Sequence, residues 1–303
     1  MKNGICLLLL CSLLLVGCQP VTSTNPAGEK TIVVTYSILG AVVENLVGSA
    51  ARVIVLIPNG QDPHEWEPSA KDIETLNKAD LIVQNGLGLE NGLEKSLTLA
   101  VQAGVKTFIA SDHITIRKVG QGEGVSATDL DQATGASDPH LWTDPETMKL
   151  VVIALAEQLN RDLGLDLSAN AQLAVDQLDN LDRQIAALVE TLPEANRKLV
   201  SGHSSLGYFA RAYGLDLVGA IIPSLTTQAE VSAADLAALK SLILQYQVRA
   251  IFAEQGTPPA IAQSIGKETG VKVVELSTHI LPADGSYLTF MHNLAQTIVD
   301  NLR

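Results

Sequence analysis

Cysteine is nearly missing from this chain of 303 residues, with three in all, Cys6, Cys11 and Cys18. Nothing after residue 18 carries a thiol, so the body of the protein has no disulfide and no thiolate metal site. A transition metal there must be held by histidine, aspartate or glutamate. Basic residues are also scarce: 20 Lys and Arg stand against 33 Asp and Glu, a net charge of −13. Such a chain repels nucleic acid and draws cations, although salt screens the attraction beyond about 8 Å. Nucleic acid is therefore not expected as a partner. Aromatic residues make up only 4 % of the chain, and just two are tryptophan. After residue 18 no apolar run approaches the ~20 residues of a membrane span. The absence of HExxH also removes the usual helix-borne zinc protease motif.

Both tryptophans fall in one repeated pattern. Asp62-Pro63-His64-Glu65-Trp66 and Asp138-Pro139-His140-Leu141-Trp142 share Asp-Pro-His with a tryptophan two residues on. Proline fixes its own φ and restricts the residue before it, so each loop aims an imidazole in a set direction. Two helix starts, with Asp as N-cap and Pro at the first helical position, would explain Asp-Pro but not histidine both times. The pattern predicts that His64 and His140 meet on one transition-metal ion.

The N-terminus reads as a signal peptide, residues 1–17. Lys2 supplies a positive start, and Leu8 to Val16 is apolar but too short to span a bilayer. Leu15-Val16-Gly17-Cys18 resembles the bacterial lipobox, which implies cleavage before Cys18 and lipid on its thiol. Residues 18–30 then form a lipidated polar tether.

From Thr31 onward, apolar strand-like runs alternate with helical periodicity. That alternation predicts a parallel α/β arrangement. It reads as an N-terminal lobe over 31–167, a long connecting helix over 168–192 with Ser168 as N-cap, and a C-terminal lobe over 193–303. Leu178, Leu181, Ile185, Leu188 and Leu192 step by three and four and predict one buried stripe on the connecting helix. Residues 117–137 carry no apolar period and read as a mobile surface loop. Ser69 with Asp72, and Ser232 with Asp235, read as capping boxes with Asp in the place of Glu.

In such sheets ligands bind beyond the carboxyl ends of the strands. His64, His140, His203, Glu254 and His279 all stand at strand ends or in loops suited to that edge. Two of the histidines come from each lobe, so a metal between them would join the lobes. Three histidines plus a fourth nitrogen or oxygen donor suit tetrahedral Zn²⁺. His113 and His292 read as surface residues. Asp62 and Asp138 read as caps, or as acceptors for an imidazole N–H.

Taken in order, DPHEWEPS at 62–69, NG at 85–86, DPHLWTDPE at 138–146, SGHSSLGYFARAYGL at 201–215, IFAEQG at 251–256 and GSYLTFM at 285–291, with the lipobox, resemble the zinc/manganese substrate-binding lipoproteins of bacterial ABC importers. The resemblance covers essentially the whole chain after the signal peptide. It implies two α/β lobes joined by one long rigid helix, with the metal site between them. It also implies a non-enzymatic monomer outside the cytoplasm, anchored to the membrane by lipid, that delivers its metal to a transporter permease. The family's first two metal histidines fall on His64 and His140, and its third ligand on His203. Histidine rather than glutamate at that third position favours Zn²⁺ over Mn²⁺. The usual fourth ligand, an aspartate, is replaced: Thr278 takes its place with His279 alongside. His279, a water or Glu275 remain as fourth ligand, in that order. The histidine-rich loop of many zinc members has no counterpart, because 117–137 contains no histidine. A metal-dependent hydrolase built on three histidines, with Glu65 or Glu254 as base, is the alternative function.

Overall fold

The computed structural model describes residues 28–120, 123 and 134–303. The signal peptide, Cys18, nearly all of the tether and most of the 117–137 loop lie outside the described residues.

The N-terminal lobe holds strands β1 (Thr31–Tyr36), β2 (Arg52–Ile57), β3 (Leu81–Gln84) and β4 (Lys106–Ile109). All pair in parallel, in the order β2-β1-β3-β4. Helices α1 (Ser37–Val47), α2 (Ala70–Asn77) and α3 (Glu94–Gln102) make the crossovers. Ile32, Val33 and Val34 are fully buried without alternation, as expected of a central parallel strand covered on both faces. Helices α4 (Pro145–Leu163) and α5 (Ser168–Glu190) follow. The C-terminal lobe repeats the design with β5 (Lys198–Ser201), β6 (Asp216–Ala220), β7 (Ala250–Ala253) and β8 (Lys272–Glu275), ordered β6-β5-β7-β8 and again parallel. Helices α6 (Gly207–Tyr213), α7 (Ala233–Gln245) and α8 (Pro259–Thr269) flank it, and α9 (Tyr287–Leu302) closes the chain.

Each sheet reverses its strand order once, between β1 and β3 and between β5 and β7. Such a switch point leaves a crevice at the carboxyl edge, because the two crossovers leave in opposite directions. Tyr36 and Asn85 stand at the first crevice, and His203 and Glu254 at the second.

Local chemistry explains the helix boundaries. Ser69 and Ser232 form both halves of their capping boxes with Asp72 and Asp235. At α4 the Asp144 side chain accepts the Glu146 N–H, and Pro145 occupies the first turn. The Asp-Pro helix start is thus real, but at Asp144-Pro145 rather than in either Asp-Pro-His loop. Ser168 is not the N-cap of α5: its hydroxyl turns back to Asp166 Oδ1, and Leu167 holds the cap position without a side-chain bond. Leu178, Leu181 and Ile185 on α5, and Leu192 just past its end, are buried as the periodicity predicts. One position moves: Val189 is buried in the place predicted for Leu188, and Leu188 is only partly covered. At 23 residues the helix runs about 34 Å. It packs on α4, α9, α1 and α6, so it touches both lobes.

Candidate metal centre

Each Asp-Pro-His segment is the same small turn. Asp62 Oδ1 accepts the His64 N–H at 2.9 Å, and Asp138 Oδ1 accepts the His140 N–H at 3.0 Å. An aspartate bonding the backbone two residues on is an Asx turn, and the intervening proline has no N–H to compete. Beyond that the two differ. Asp62 uses its other oxygen on the Thr227 hydroxyl of the C-terminal lobe, at 2.8 Å. Asp138 also takes His140 Nδ1–H at 2.8 Å, and its second oxygen accepts Arg117 Nη1 at 3.0 Å.

Four histidines converge. His64, His140, His203 and His279 are all buried, and each offers a nitrogen within 4.8 Å of the others'. His140 Nε2 lies 3.3 Å from His64 Nε2 and 3.1 Å from His203 Nε2. The His279 ring stacks on that of His203, 5.4 Å between centres, and its Nε2 is buried with no hydrogen-bond partner. Nitrogens around a tetrahedral Zn²⁺, at about 2.0–2.1 Å each, stand about 3.3–3.4 Å apart. The His140 Nδ1 proton is committed to Asp138, so its Nε2 is a bare lone pair facing two other ring nitrogens. A cation between them would be met by such lone pairs.

Electrostatics favours neutral rings at three positions. Burial, then the neighbouring imidazoles, hold His64, His140 and His279 below the ordinary histidine range, His279 at about 4. His203 goes the other way: burial opposes its charge, but the Glu254 carboxylate together with Asp62 and Asp138 raises it. Glu254 Oε2 lies 3.2 Å from His203 Nδ1, an ion-pair distance without hydrogen-bond alignment.

Glu254 is the hub of the C-terminal half. Its oxygens accept Gly202 N–H at 3.0 Å, the Ser205 hydroxyl at 2.6 Å and the Thr278 hydroxyl at 2.7 Å. Burial alone would raise its pKa, but His203 and these donors bring it down to about 2. At Gly202 a Cβ would collide with Thr257 Oγ1 and crowd the Glu254 backbone, so this close approach requires glycine. Gly207 is small for the same reason, because a Cβ there would run into Asp138 and Arg117.

Support from the N-terminal lobe comes through Asn85. Its side chain accepts the Tyr36 hydroxyl at 2.9 Å and donates to the Pro139 carbonyl at 2.9 Å. Buried Glu90 accepts the Asn85 N–H and the Thr35 hydroxyl, both at 2.7 Å. Trp142 completes the wall: its ring centre lies 5.3 Å from that of His140 and 5.4 Å from that of His279.

Several sequence expectations meet their test in this geometry. His113 is exposed and stacks on Phe108, and His292 is exposed on α9. Glu275, the last-ranked fourth donor, is exposed and outside the cluster. Trp66 is only partly buried, so the tryptophan beside the cluster is Trp142. Arg117 corrects the reading of residues 117–137 as surface loop: it is 7 % exposed and tied to Asp138. Its side chain gave no sequence signal, because a lone arginine before a Gly-rich stretch looks solvated. The hydrolase alternative gains nothing. Glu65 is exposed, Glu254 is saturated with donors, and a fourth histidine, His279, lies in the cluster.

Known proteins resemble this chain in sequence and in fold. The chain is 29 % identical over 290 residues to the manganese-binding lipoprotein MntA of Halalkalibacterium halodurans, covering 93 % of this chain and 91 % of that one. It is 30 % identical over 280 residues to the zinc-binding lipoprotein AdcA of Streptococcus pneumoniae, covering 89 % of this chain and 54 % of that longer protein. The periplasmic zinc binding protein TroA from Treponema pallidum superposes with a TM-score of 0.79 at 27 % identity, covering 91 % of this chain and 99 % of that one. Residues 32–301 match the family model of ZnuA, zinc-uptake complex component A, periplasmic, and the chain belongs to that family.

Proposed function

We propose that this protein captures one divalent transition metal between its lobes, outside the cytoplasm, and hands it to the permease of an ABC importer. His64, His140, His203 and His279 are the ligands, and the metal is cargo, with no chemical step performed on it. Cys18 carries the lipid that holds the protein, as a monomer, at the membrane. Zinc is the favoured cargo and manganese the second, since a borderline ion suits imidazole while manganese prefers oxygen donors. The observation that carries this reading is the convergence of four buried histidines, with ring nitrogens at 3.1 and 3.3 Å.

Titration of metal-free protein with Zn²⁺ and Mn²⁺, read by Trp142 fluorescence and by metal content, tests it. One tight ion per chain is expected, abolished in the His64→Ala/His140→Ala pair. Undiminished binding in that pair would place the metal elsewhere. Binding weakens on acidification because imidazolium cannot coordinate, first through His203, whose pKa is raised above the ordinary histidine value, and at lower pH through the three rings held below it. Undiminished affinity at pH 5 would mean that His203 is not a ligand.

A further inference from the structure

Thr278 adjoins His279, whose Nε2 has no hydrogen-bond partner, and the threonine hydroxyl serves two neighbours at once. Oγ1 lies 2.7 Å from Glu254 Oε2 and 3.0 Å from His279 Nδ1. An ionised carboxylate only accepts, so the single hydroxyl proton goes to Glu254. The oxygen then meets His279 Nδ1 with a lone pair, and that nitrogen must carry the proton. A neutral imidazole protonated at Nδ1 has a bare Nε2. That Nε2 is one of two buried, unpartnered ring nitrogens among the four histidines, the other being His203 Nδ1 beside Glu254.

We propose that Thr278 is a positioning and specificity residue: it relays the Glu254 carboxylate to His279, locks the Nδ1–H tautomer and so makes His279 a fourth nitrogen donor. This rests on the reading that the cluster binds a divalent metal. One carboxylate then serves both histidines of the C-terminal lobe, His203 by its charge at 3.2 Å and His279 through a hydroxyl. Four imidazoles favour zinc, and loss of the fourth shifts the site toward ions content with fewer nitrogens and added water. The Thr278 backbone is held separately, because its carbonyl accepts Trp142 Nε1–H at 3.0 Å. Removing the hydroxyl therefore leaves the segment anchored.

The test compares Thr278→Val and Thr278→Ser, each in the parent protein and in His279→Ala, with Zn²⁺ and Mn²⁺ affinities measured against a chromophoric chelator. Thr278→Val weakens zinc binding roughly 10- to 100-fold, weakens manganese binding less, and Thr278→Ser restores the parent value. In His279→Ala the valine adds no further loss. No loss in the parent background, or an equal loss in both, would overturn the proposal. Side-chain ¹⁵N shifts of the metal-free parent protein report the tautomer without any substitution. The Nδ1–H form of His279 is expected, and the Nε2–H form would overturn the assignment. If the parent protein binds no zinc, the metal-binding reading itself fails, while the ¹⁵N shifts still decide the tautomer.

Discussion

At the residue scale, the site depends on carboxylates that never need to touch a metal. Asp138 closes the His140 turn, holds the ring proton and neutralises Arg117 with its remaining oxygen. Burial raises its pKa to about 6 against the opposing Arg117 charge, so it is ionised at neutral pH. Asp138→Asn keeps an acceptor but removes one of the two carboxylates paired with the buried guanidinium, leaving Glu123. We expect zinc affinity to fall about 10- to 100-fold and the metal-free protein to lose about 1–3 kcal/mol, read by chelator competition and urea unfolding. Parent-like zinc affinity would show that packing alone orients His140. The histidines themselves were legible in the sequence, because Asp-Pro-His twice is an uncommon coincidence. Arg117, Asn85 and Glu90 were not read as a support, since their partners lie 21, 54 and 55 positions away.

At the element scale, α5 works as a two-sided wedge rather than a free rod. Its buried face carries Ala174, Leu178, Leu181, Ile185 and Val189, while Leu173 is 59 % exposed. Ile185→Ala should cost about 2–5 kcal/mol, and Leu173→Ala less than about 0.5 kcal/mol. Equal midpoints for the two variants in urea would mean that the helix buries a different face. The first sheet has its own electrostatic tie at Asp80, which accepts the Thr31 N–H at 2.8 Å and the Lys30 ammonium at 3.0 Å. Burial pushes the Asp80 pKa up, but those two donors together pull it below the ordinary carboxylate value. A lowered pKa means that its stabilisation is complete above that ordinary value, near ~3.9, and is lost as pH falls through the folded one. The stability gap between parent and Asp80→Asn should therefore be widest at neutral pH and close progressively below about pH 4. A gap that persists unchanged at pH 2 would rule out the charge as its source. Most element boundaries were visible as apolar period and cap chemistry. Ser168 was misplaced because a nearby Asp166 competes for its hydroxyl, a contest that spacing does not reveal.

At the scale of the whole molecule, one continuous apolar cluster runs from β1 through α4, α5 and α9 to Leu199, Phe209 and Phe252 in the second lobe. Wide separation of the lobes would expose that shared core, at about 25 cal/mol per Å² of apolar surface. Small movements at the metal edge cost far less. There the lobes are latched by polar contacts: Asn59 donates to the Leu281 carbonyl at 3.0 Å and accepts the Leu281 N–H at 2.8 Å. Gln255 Nε2 donates to the Gly60 carbonyl at 2.6 Å, and Thr227 to Asp62 at 2.8 Å. These bonds join the loop bearing His64 to the loops around Glu254 and His279. Asn59→Ala removes two of them, worth about 1 kcal/mol each, and should speed zinc dissociation roughly 5- to 30-fold in a stopped-flow chelator chase. An unchanged rate would show that metal leaves without parting Asn59 from Leu281.

The sequence by itself determined the elements, their alternation and the residue types available to a metal. Each of those depends on neighbours a few positions apart: period, caps, proline, the lack of thiols. It also singled out His64, His140, His203 and His279 as candidates, because strand ends in a parallel sheet share one edge. Only the tertiary structure decided that all four nitrogens fall within 4.8 Å, that His279 rather than Glu275 faces them, and that Glu254 reaches His279 through Thr278. Those facts depend on how two separately wound sheets are set against each other by α4, α5 and α9. That setting is made by side-chain packing across the whole chain, which no local spacing encodes.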